Sequence, residues 1–378
     1  MASTIFKVLK YMKNLTILFL FLSFLGCKTE TMKEQNTTPF YVGTYTNGDS
    51  KGIYKYQIDK EGKLSKIGLV AETNNPSFIT KTKDNKTLIA VDEANENGTG
   101  FVKSFRIKKD TLAFINQSKS GGAHPCFVTI NDKNQVLVAN YSGGNVGFLE
   151  LNSKGELSDL LDVQQHTGKG TTDRQKVPHA HSTWFHPNKE EVISVDLGTN
   201  ELWFSKIDEK ENKLVLSNQN KLNMTDGAGP RHLAFHPNKN WIYVLNELDN
   251  TVSLIKEKNN LYYIDSNISM LPKDFIEYTN GADIHISNDG KFLYASNRGH
   301  NSIVIYTINS EKGNLQLVGF EAVKGVNPRN FSLTPDNKYL LVANQDTNNL
   351  ISFKRDTKTG KLTFVSEVKA PNPVCILF

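Results

Sequence analysis

Ionisable side chains gather at the ends of short apolar segments in the C-terminal part of the chain. Arg231, Glu247 and Arg298 each stand beside such a segment, and His179 and His181 alternate in the phrase VPHAH. Residues that alternate along an extended strand share one face, so both imidazoles can reach the same site. Arginines grouped together bind anions, and a carboxylate or imidazole beside them can transfer protons. These residues predict a site that holds an anionic group next to a proton acceptor.

Four further side chains are expected to bind the ligand of this site. They are Arg174, His232, His300 and Arg329. His232 belongs to the phrase GAGPRH, whose glycines and proline predict a shaped loop. Arg174 lies in a loop, residues 166–177, that is longer than its counterparts elsewhere in the chain. Extra loop length is often where a site acquires specificity.

Several roles stay open at this level. Glu247 can be a general base or a structural counter-ion of a neighbouring arginine, and either histidine of VPHAH can be the reactive one. The two histidines with a carboxylate could also hold zinc, but no third ligand stands at a typical spacing. Asparagines at strand ends could also act as ligands of a calcium ion, although such residues more often cap turns. Those asparagines are Asn140, Asn246 and Asn297. We expect neither a metal nor another cofactor.

A repeated β-unit must position these residues. After residue 40 the chain repeats an apolar strand, a turn such as HPNK or PDNK, a second apolar strand and then Asn or Asp in most units. The residues at the ends of the second strands are spaced by 48, 48, 56, 50, 51 and 47. They are Thr44, Asp92, Asn140, Asp196, Asn246, Asn297 and Asn344. A period near fifty with several short strands per unit is typical of a β-propeller.

The repeat count predicts an all-β fold, a seven-bladed β-propeller of four-stranded blades, over residues 40–378. The first unit lacks a leading strand, whereas the C-terminal strand from Pro373 has no blade of its own. Pairing that strand into the N-terminal blade closes the ring and removes its exposed edges. In each blade the start of the first strand and the end of the second lie on the same face. Arg231, Glu247 and Arg298 are therefore expected at one mouth of the central channel.

The N-terminal segment predicts export. Three lysines precede an apolar run, residues 15–25, that is short for a membrane span and typical of a signal peptide. The run ends in FLGC, which resembles a bacterial lipoprotein box. We therefore expect residues 1–26 to be a signal peptide, Cys27 to be lipidated and residues 27–39 to form a tether. The expected location is the bacterial envelope, although ordinary secretion and a start at Met12 stay open.

Composition excludes several classes of protein. The 378 residues include 44 Lys and Arg and 39 Asp and Glu, and three of the lysines lie in residues 1–26 while all the acids follow. The remainder carries a net charge of +2, so nucleic-acid binding is not expected. Three cysteines cannot form a disulfide framework. The expected partner is a small molecule, the membrane is reached only through the lipid, and the chain is expected to be a monomer or a weak homo-oligomer.

Phrases along the whole body resemble one known family. They are ANYSGGNV (139–146), VPHAH (177–181), DLGTN (196–200), GAGPRHLAFHPN (227–238), LNELDNTV (245–252), SNDGKFLYASNRGHNSI (287–303) and NPRNF (327–331). The family is that of the seven-bladed β-propeller lactonases, of the bacterial 6-phosphogluconolactonase and carboxymuconate cyclase type. The resemblance implies His179 or His181, Arg231, Glu247 and Arg298 as catalytic residues.

The resemblance also implies lactone chemistry. We expect a lactone hydrolase resembling 6-phosphogluconolactonase, in which Glu247 or a histidine activates water while Arg231 and Arg298 bind the oxyanion and the carboxylate. A phosphorylated sugar lactone is a cytoplasmic intermediate, so an exported relative can have a different substrate. A lactonising cycloisomerase of the muconate type and a non-catalytic binding propeller on the cell surface are the alternatives. A carboxylate set among arginines favours an enzyme.

Overall fold

The computed structural model describes residues 37–378, which form seven four-stranded antiparallel sheets. The predicted seven-bladed propeller is thereby confirmed. The first strand begins at Thr37, whereas the repeat pattern placed the start of the propeller at residue 40. The predicted signal segment and Cys27 lie outside the described residues. Within residues 37–378 no helix is both long enough and apolar enough to cross a bilayer.

The strands follow one another blade by blade, and blades 2 to 7 each start beside the channel. Blade 1 contains β1 (Thr37–Thr44), β2 (Gly52–Asp59) and β3 (Leu64–Glu72). Blade 2 contains β4 (Ile79–Lys81), β5 (Thr87–Glu96), β6 (Thr99–Ile107) and β7 (Leu112–Lys119). Blade 3 contains β8 (Pro125–Ile130), β9 (Gln135–Asn140), β10 (Asn145–Glu150) and β11 (Asp162–Gln165). Blade 4 contains β12 (Ala180–Phe185), β13 (Val192–Asp196), β14 (Glu201–Asp208) and β15 (Lys213–Asn223).

The remaining blades repeat the pattern. Blade 5 contains β16 (Pro230–Phe235), β17 (Ile242–Asn246), β18 (Thr251–Lys258) and β19 (Leu261–Ser269). Blade 6 contains β20 (Gly281–Ile286), β21 (Phe292–Asn297), β22 (Ser302–Ile308) and β23 (Leu315–Ala322). Blade 7 contains β24 (Pro328–Leu333), β25 (Tyr339–Asn344), β26 (Asn349–Arg355) and β27 (Leu362–Lys369). The last strand is β28 (Pro373–Leu377), and a short 3-10 helix, Asp173–Gln175, lies in the long loop of blade 4.

The C-terminal strand closes the ring as predicted. Strand β28 pairs antiparallel with β1, with Val42 opposite Ile376, and becomes the innermost strand of blade 1. Each innermost strand contacts the innermost strand of the next blade around the whole circle, including β28 with β4 and β24. The free edge of an open array is thus covered by the chain's own end.

Seven hydrophobic clusters hold the blades together, one between each pair of neighbours. Blades cover both faces of the second strands, so these strands are largely apolar, as in VLVAN of β9, where every residue is buried. Each fully buried aliphatic or aromatic side chain contributes about 1.5–3 kcal/mol. The polar residue that ends most of these second strands is buried too, which confirms the repeat alignment.

Candidate active site

Bulges in the innermost strands aim side chains at the channel. Pro230 pairs with Asn246 and His232 with Leu245, so Arg231 is an extra residue without a partner across the ladder. A register shift occurs at the matching place in blades 1, 3, 4, 6 and 7 as well. Such an extra residue bends the strand and redirects its side chain. The bulges at the starts of the inner strands therefore direct predicted site residues such as Arg231 toward the channel.

The GAGPRH loop places Arg231 beside Glu247. Gly229 adopts a φ of 65°, which is open to glycine at little cost, and its carbonyl oxygen accepts a hydrogen bond of 2.7 Å from the backbone N–H of Glu247. Its own N–H donates to Asn200 Oδ1 at 2.9 Å. The start of the first strand and the end of the second are thus locked together, as the predicted Gly- and Pro-shaped loop requires.

Glu247 is the centre of the site. Its Oε1 lies 3.1 Å from Arg174 Nη2, and its Oε2 lies 3.1 Å from Arg231 Nε and 3.0 Å from Arg298 Nη2. Burial raises the pKa of Glu247, but Arg298, Arg231, Arg174 and Arg329 outweigh it and hold the pKa at about 2. Burial together with Arg329 and Arg298 lowers the pKa of Arg231 to about 10. Glu247 is therefore an anion at neutral pH, and both of its carboxylate oxygens lie against guanidinium groups.

His179 is held in one tautomer. Its ring stacks on Tyr141 with centroids 4.4 Å apart, and its Nδ1 lies 3.1 Å from the backbone oxygen of Tyr141. A carbonyl oxygen only accepts, so the neutral ring carries its proton on Nδ1, and among residues 37–378 no donor bonds the acceptor Nε2. The backbone N–H of His179 donates to Asp196 Oδ1 at 2.8 Å, and Asp196 Oδ2 lies 2.7 Å from His166 Nδ1. The buried pair of His166 and Asp196, the last residue of β13, thus holds the VPHAH segment in place.

His181 and His232 form a deeper, neutral layer. Burial, with Arg231 next, lowers the pKa of His181 far below its usual range, and the same two causes lower the pKa of His232 to about 4. The two rings meet edge to face at 5.4 Å. His232 Nδ1 lies 2.9 Å from Asp283 Oδ1, while Nε2 lies 3.2 Å from Arg231 Nη1. These buried histidines thus pack against one another, and His232 contacts Arg231.

The structure brings most of the predicted binding residues to the same mouth. Arg174 reaches it from the 3-10 helix of the long loop and also bonds the hydroxyl of Tyr141 at 3.0 Å. Arg329 donates to the hydroxyl of Tyr45 at 3.0 Å. His300 is placed elsewhere: its Nδ1 lies 2.6 Å from Ser302 Oγ, and its ring packs against Phe275 and against Phe320 of the outermost strand β23. The structure does not bring His300 together with the arginines.

A second polar group lies at the mouth, and none of its members was among the predicted site residues. Tyr45, Ser77 and Glu93 form it: the hydroxyl of Tyr45 donates to Glu93 Oε2 at 2.9 Å, and the hydroxyl of Ser77 donates to the same oxygen. Tyr45 directly follows Thr44, so the rule that selected Glu247 after Asn246 applies equally to blade 1. The repeat alignment predicts the position of Tyr45 at the mouth, but it does not predict the contact of Tyr45 with Glu93.

The cavity next to the arginine group is small. A cavity of about 10 Å³, close to the smallest that holds one water molecule, lies between Ser77, Cys126, Arg231, His232 and Arg329. A larger cavity of about 800 Å³ lies on the opposite face, among the turns of blades 3 and 4. That cavity contains none of the predicted site residues. The arginine group and the larger cavity therefore lie on opposite faces of the propeller.

Metal ligation finds little support in the described part of the chain. Residues 37–378 contain no group of three or more His, Cys, Asp or Glu side chains arranged for a metal ion. Asn140 donates to the backbone oxygen of Ser120 at 2.9 Å, and Asn297 donates to that of Met270 at 2.8 Å. These asparagines bind the segments that connect the preceding blade to their own. The expectation of a site without metal or cofactor stays a prediction.

Comparison with known proteins decides the family. Residues 39–378 match the family described as lactonase, 7-bladed beta-propeller. The chain belongs to this lactonase family. It is therefore an enzyme of the carboxylic ester hydrolase class, since lactones are cyclic esters.

Named relatives of this lactonase cover between 77% and 90% of its length. It is 38% identical over 345 residues to the 6-phosphogluconolactonase of Bacillus subtilis, covering 89% of this chain and 97% of that protein. It is 34% identical over 301 residues to a 6-phosphogluconolactonase of Formosa agariphila, covering 77% and 84%. The structure of the periplasmic gluconolactonase PpgL of Pseudomonas aeruginosa superposes with a TM-score of 0.85 at 28% identity, covering 90% and 98%.

Proposed function

We propose that this lactonase opens a sugar-type lactone with water to give the free acid, at the channel mouth around Glu247. The observation that carries the proposal is the grouping of Arg174, Arg231 and Arg298 on one buried carboxylate. Tyr141 links His179 to this group, because its ring stacks on that of His179 and its hydroxyl accepts from Arg174. The relatives named above, 6-phosphogluconolactonases and a periplasmic gluconolactonase, support a sugar lactone as the substrate.

His179 is the proton carrier in this proposal. Water attacks the carbonyl carbon and its proton passes to Nε2, while the carbonyl π electrons move onto the oxygen. The tetrahedral intermediate then expels the ring oxygen as an alkoxide, which takes the proton back from Nε2. One histidine can act in both steps because each step regenerates the form that the other needs. His181 is less suited, since burial and Arg231 keep its pKa far below its usual range.

The arginines stabilise the negative charge that develops. Arg231 and Arg298 are held in place before the reaction by Glu247, by the backbone oxygen of Ala282 and by that of Gly281 respectively. Donors fixed in advance stabilise an oxyanion without reorganisation, which is usually the largest catalytic contribution. The same groups can hold the product carboxylate.

Glu247 is assigned a structural part in this chemistry. A carboxylate whose pKa is about 2 and whose oxygens face three guanidinium groups is a weak proton acceptor. Its charge offsets the repulsion among the arginines and sets their spacing. Of the two roles that the sequence left open, we therefore propose that of counter-ion.

We also propose that the enzyme works outside the cytoplasm. The support is the signal-like segment before Cys27 and the similarity to PpgL, a periplasmic gluconolactonase. An exported lactonase meets unphosphorylated sugar lactones, so we propose an aldonolactone such as glucono-δ-lactone as substrate.

Acid release from a panel of lactones tests the proposal. The full chain is assayed in a pH-stat with sugar, phosphosugar and unsubstituted lactones, and the spontaneous hydrolysis of each is subtracted. Turnover of a sugar lactone that survives a chelator supports the proposal. Turnover of none of the lactones refutes it, and formation of lactone from the acid under the same conditions points to the lactonising reaction instead.

A further inference from the structure

The side of the mouth formed by blades 1 and 2 carries a second carboxylate, Glu93, that the proposed reaction does not use. It directly follows Asp92, the residue equivalent to Asn246, and so occupies in blade 2 the position that Glu247 occupies in blade 5. Its backbone is fixed by Asn75, whose carbonyl oxygen accepts from the Glu93 N–H at 3.2 Å. Glu93 is partly exposed, whereas Glu247 is buried.

The surroundings of the two carboxylates differ. Glu93 Oε2 accepts hydrogen bonds from two hydroxyl groups, those of Tyr45 and Ser77, while no donor among residues 37–378 bonds its Oε1. Both oxygens of Glu247 face guanidinium groups instead. Glu93 therefore has a carboxylate oxygen available to a ligand, and Glu247 does not.

This second group faces the same space as the arginines. The side chain of Ser77 lines the small axial cavity together with Arg231 and Arg329. The hydroxyl of Tyr45 joins the two groups, because it donates to Glu93 and accepts from Arg329 Nη2 at 3.0 Å. The mouth is thus divided: guanidinium groups line blades 4 to 7, and hydroxyls with one carboxylate line blades 1 and 2.

We propose that Glu93, positioned by Tyr45 and Ser77, binds the ring hydroxyls of the lactone and makes the enzyme selective for hydroxylated lactones. A carboxylate only accepts hydrogen bonds, and a polyol supplies donors that an unsubstituted lactone lacks. Hydrogen bonds to a charged acceptor are the stronger kind. Binding the hydroxyls at blades 1 and 2 turns the carbonyl toward Arg231 and Arg298. The inference rests on the proposed function and adds a specificity residue to it.

A selectivity ratio tests this role. Glucono-δ-lactone and δ-valerolactone share a six-membered ring, but only the first carries hydroxyls. In the full-chain Glu93→Gln variant, kcat/KM for gluconolactone relative to valerolactone should fall about ten- to a hundredfold, mainly through a higher KM. Valerolactone is followed as a competitive inhibitor if its turnover is too slow to measure. Glu150→Gln, at an exposed position of β10, is the matched control and should keep the parent ratio.

The outcomes separate the possible roles of Glu93. An unchanged ratio, or an equal loss on both lactones through kcat, overturns the proposal, the latter because it indicates proton transfer or a collapsed mouth. Ser77→Ala, which removes one hydroxyl that positions Glu93, should lower the ratio in the same direction, and it decides the matter if Glu93→Gln does not fold. A parent enzyme without activity on any lactone refutes the proposed function itself and this subsite with it.

Discussion

Replacing Glu247 by glutamine should weaken the fold in a way that depends on pH. The pKa of this carboxyl is about 2 in the folded chain, where burial is outweighed by Arg298, Arg231 and Arg174, against an ordinary value of 4.5. A carboxyl shifted this far stabilises the folded state by about 3 kcal/mol once it is ionised. Glutamine keeps the shape but removes the charge, leaving three arginines without their counter-ion, which is the costly way to break a buried ion pair.

The direction of the pH effect follows from the lowered pKa. The contribution of Glu247 is fully present above pH 4.5 and is lost as the pH falls toward 2. At pH 3 about 2 kcal/mol of it should already be gone. The difference in free energy of unfolding between parent and Glu247→Gln should therefore shrink by about that amount from pH 7 to pH 3. Titration of the buried histidines His181 and His232 also destabilises both proteins at low pH, but it largely cancels in the difference.

Urea unfolding at several pH values, followed by tryptophan fluorescence, measures this difference. The slopes of the two transitions must agree, so that the comparison refers to the same unfolding. A difference below about 1 kcal/mol at pH 7, or one that stays constant down to pH 3, would refute the reasoning, because the arginines would then not be holding an ionised Glu247.

Two further predictions concern the ring closure and the anchor. Ile376 of β28 lies in the same buried cluster as Phe40 and Leu341, so Ile376→Ala should cost about 2–5 kcal/mol in unfolding experiments. Deletion of residues 371–378 should cause aggregation or a sharply lower Tm. A truncated chain that melts like the parent contradicts the closure. If Cys27 is lipidated, Cys27→Ala should move the protein from the membrane fraction to the soluble fraction. Unchanged partitioning in an immunoblot would contradict the lipoprotein prediction.

The fold could be predicted from the sequence because the repeat is carried by buried positions. The polar residue that ends most second strands, such as Asn140 or Asn246, recurs at nearly constant spacing, and the strands before it are largely apolar because blades cover both faces. The unmatched strand from Pro373 indicated the closure. The same alignment put Arg231, Glu247 and Arg298 at one mouth, as the structure has them.

The contacts within the mouth could not be predicted in the same way. Whether Glu247 acts as base or counter-ion depends on which side chains reach its oxygens, and Arg174 does so from a loop 73 positions away in the sequence. The link from Arg329 through Tyr45 to Glu93 runs across the point where the ring closes. His300 follows Arg298 by two residues, yet the turn between them directs it to the outer strand. Repeat spacing predicts the backbone position of a residue, but it does not predict which groups its side chain contacts.

The turnover of Arg298→Ala tests the central claim most directly. Arg298 is the partly accessible member of the pair proposed to bind the oxyanion, since its side chain is 16% exposed against 3% for Arg231. On the best lactone of the panel, kcat should fall by about a hundred- to a thousandfold, with near-UV circular dichroism unchanged. Arg106→Ala, in blade 2 away from the mouth, is the control and should keep the parent rate. A kcat for Arg298→Ala within a few-fold of the parent would contradict oxyanion stabilisation at this mouth.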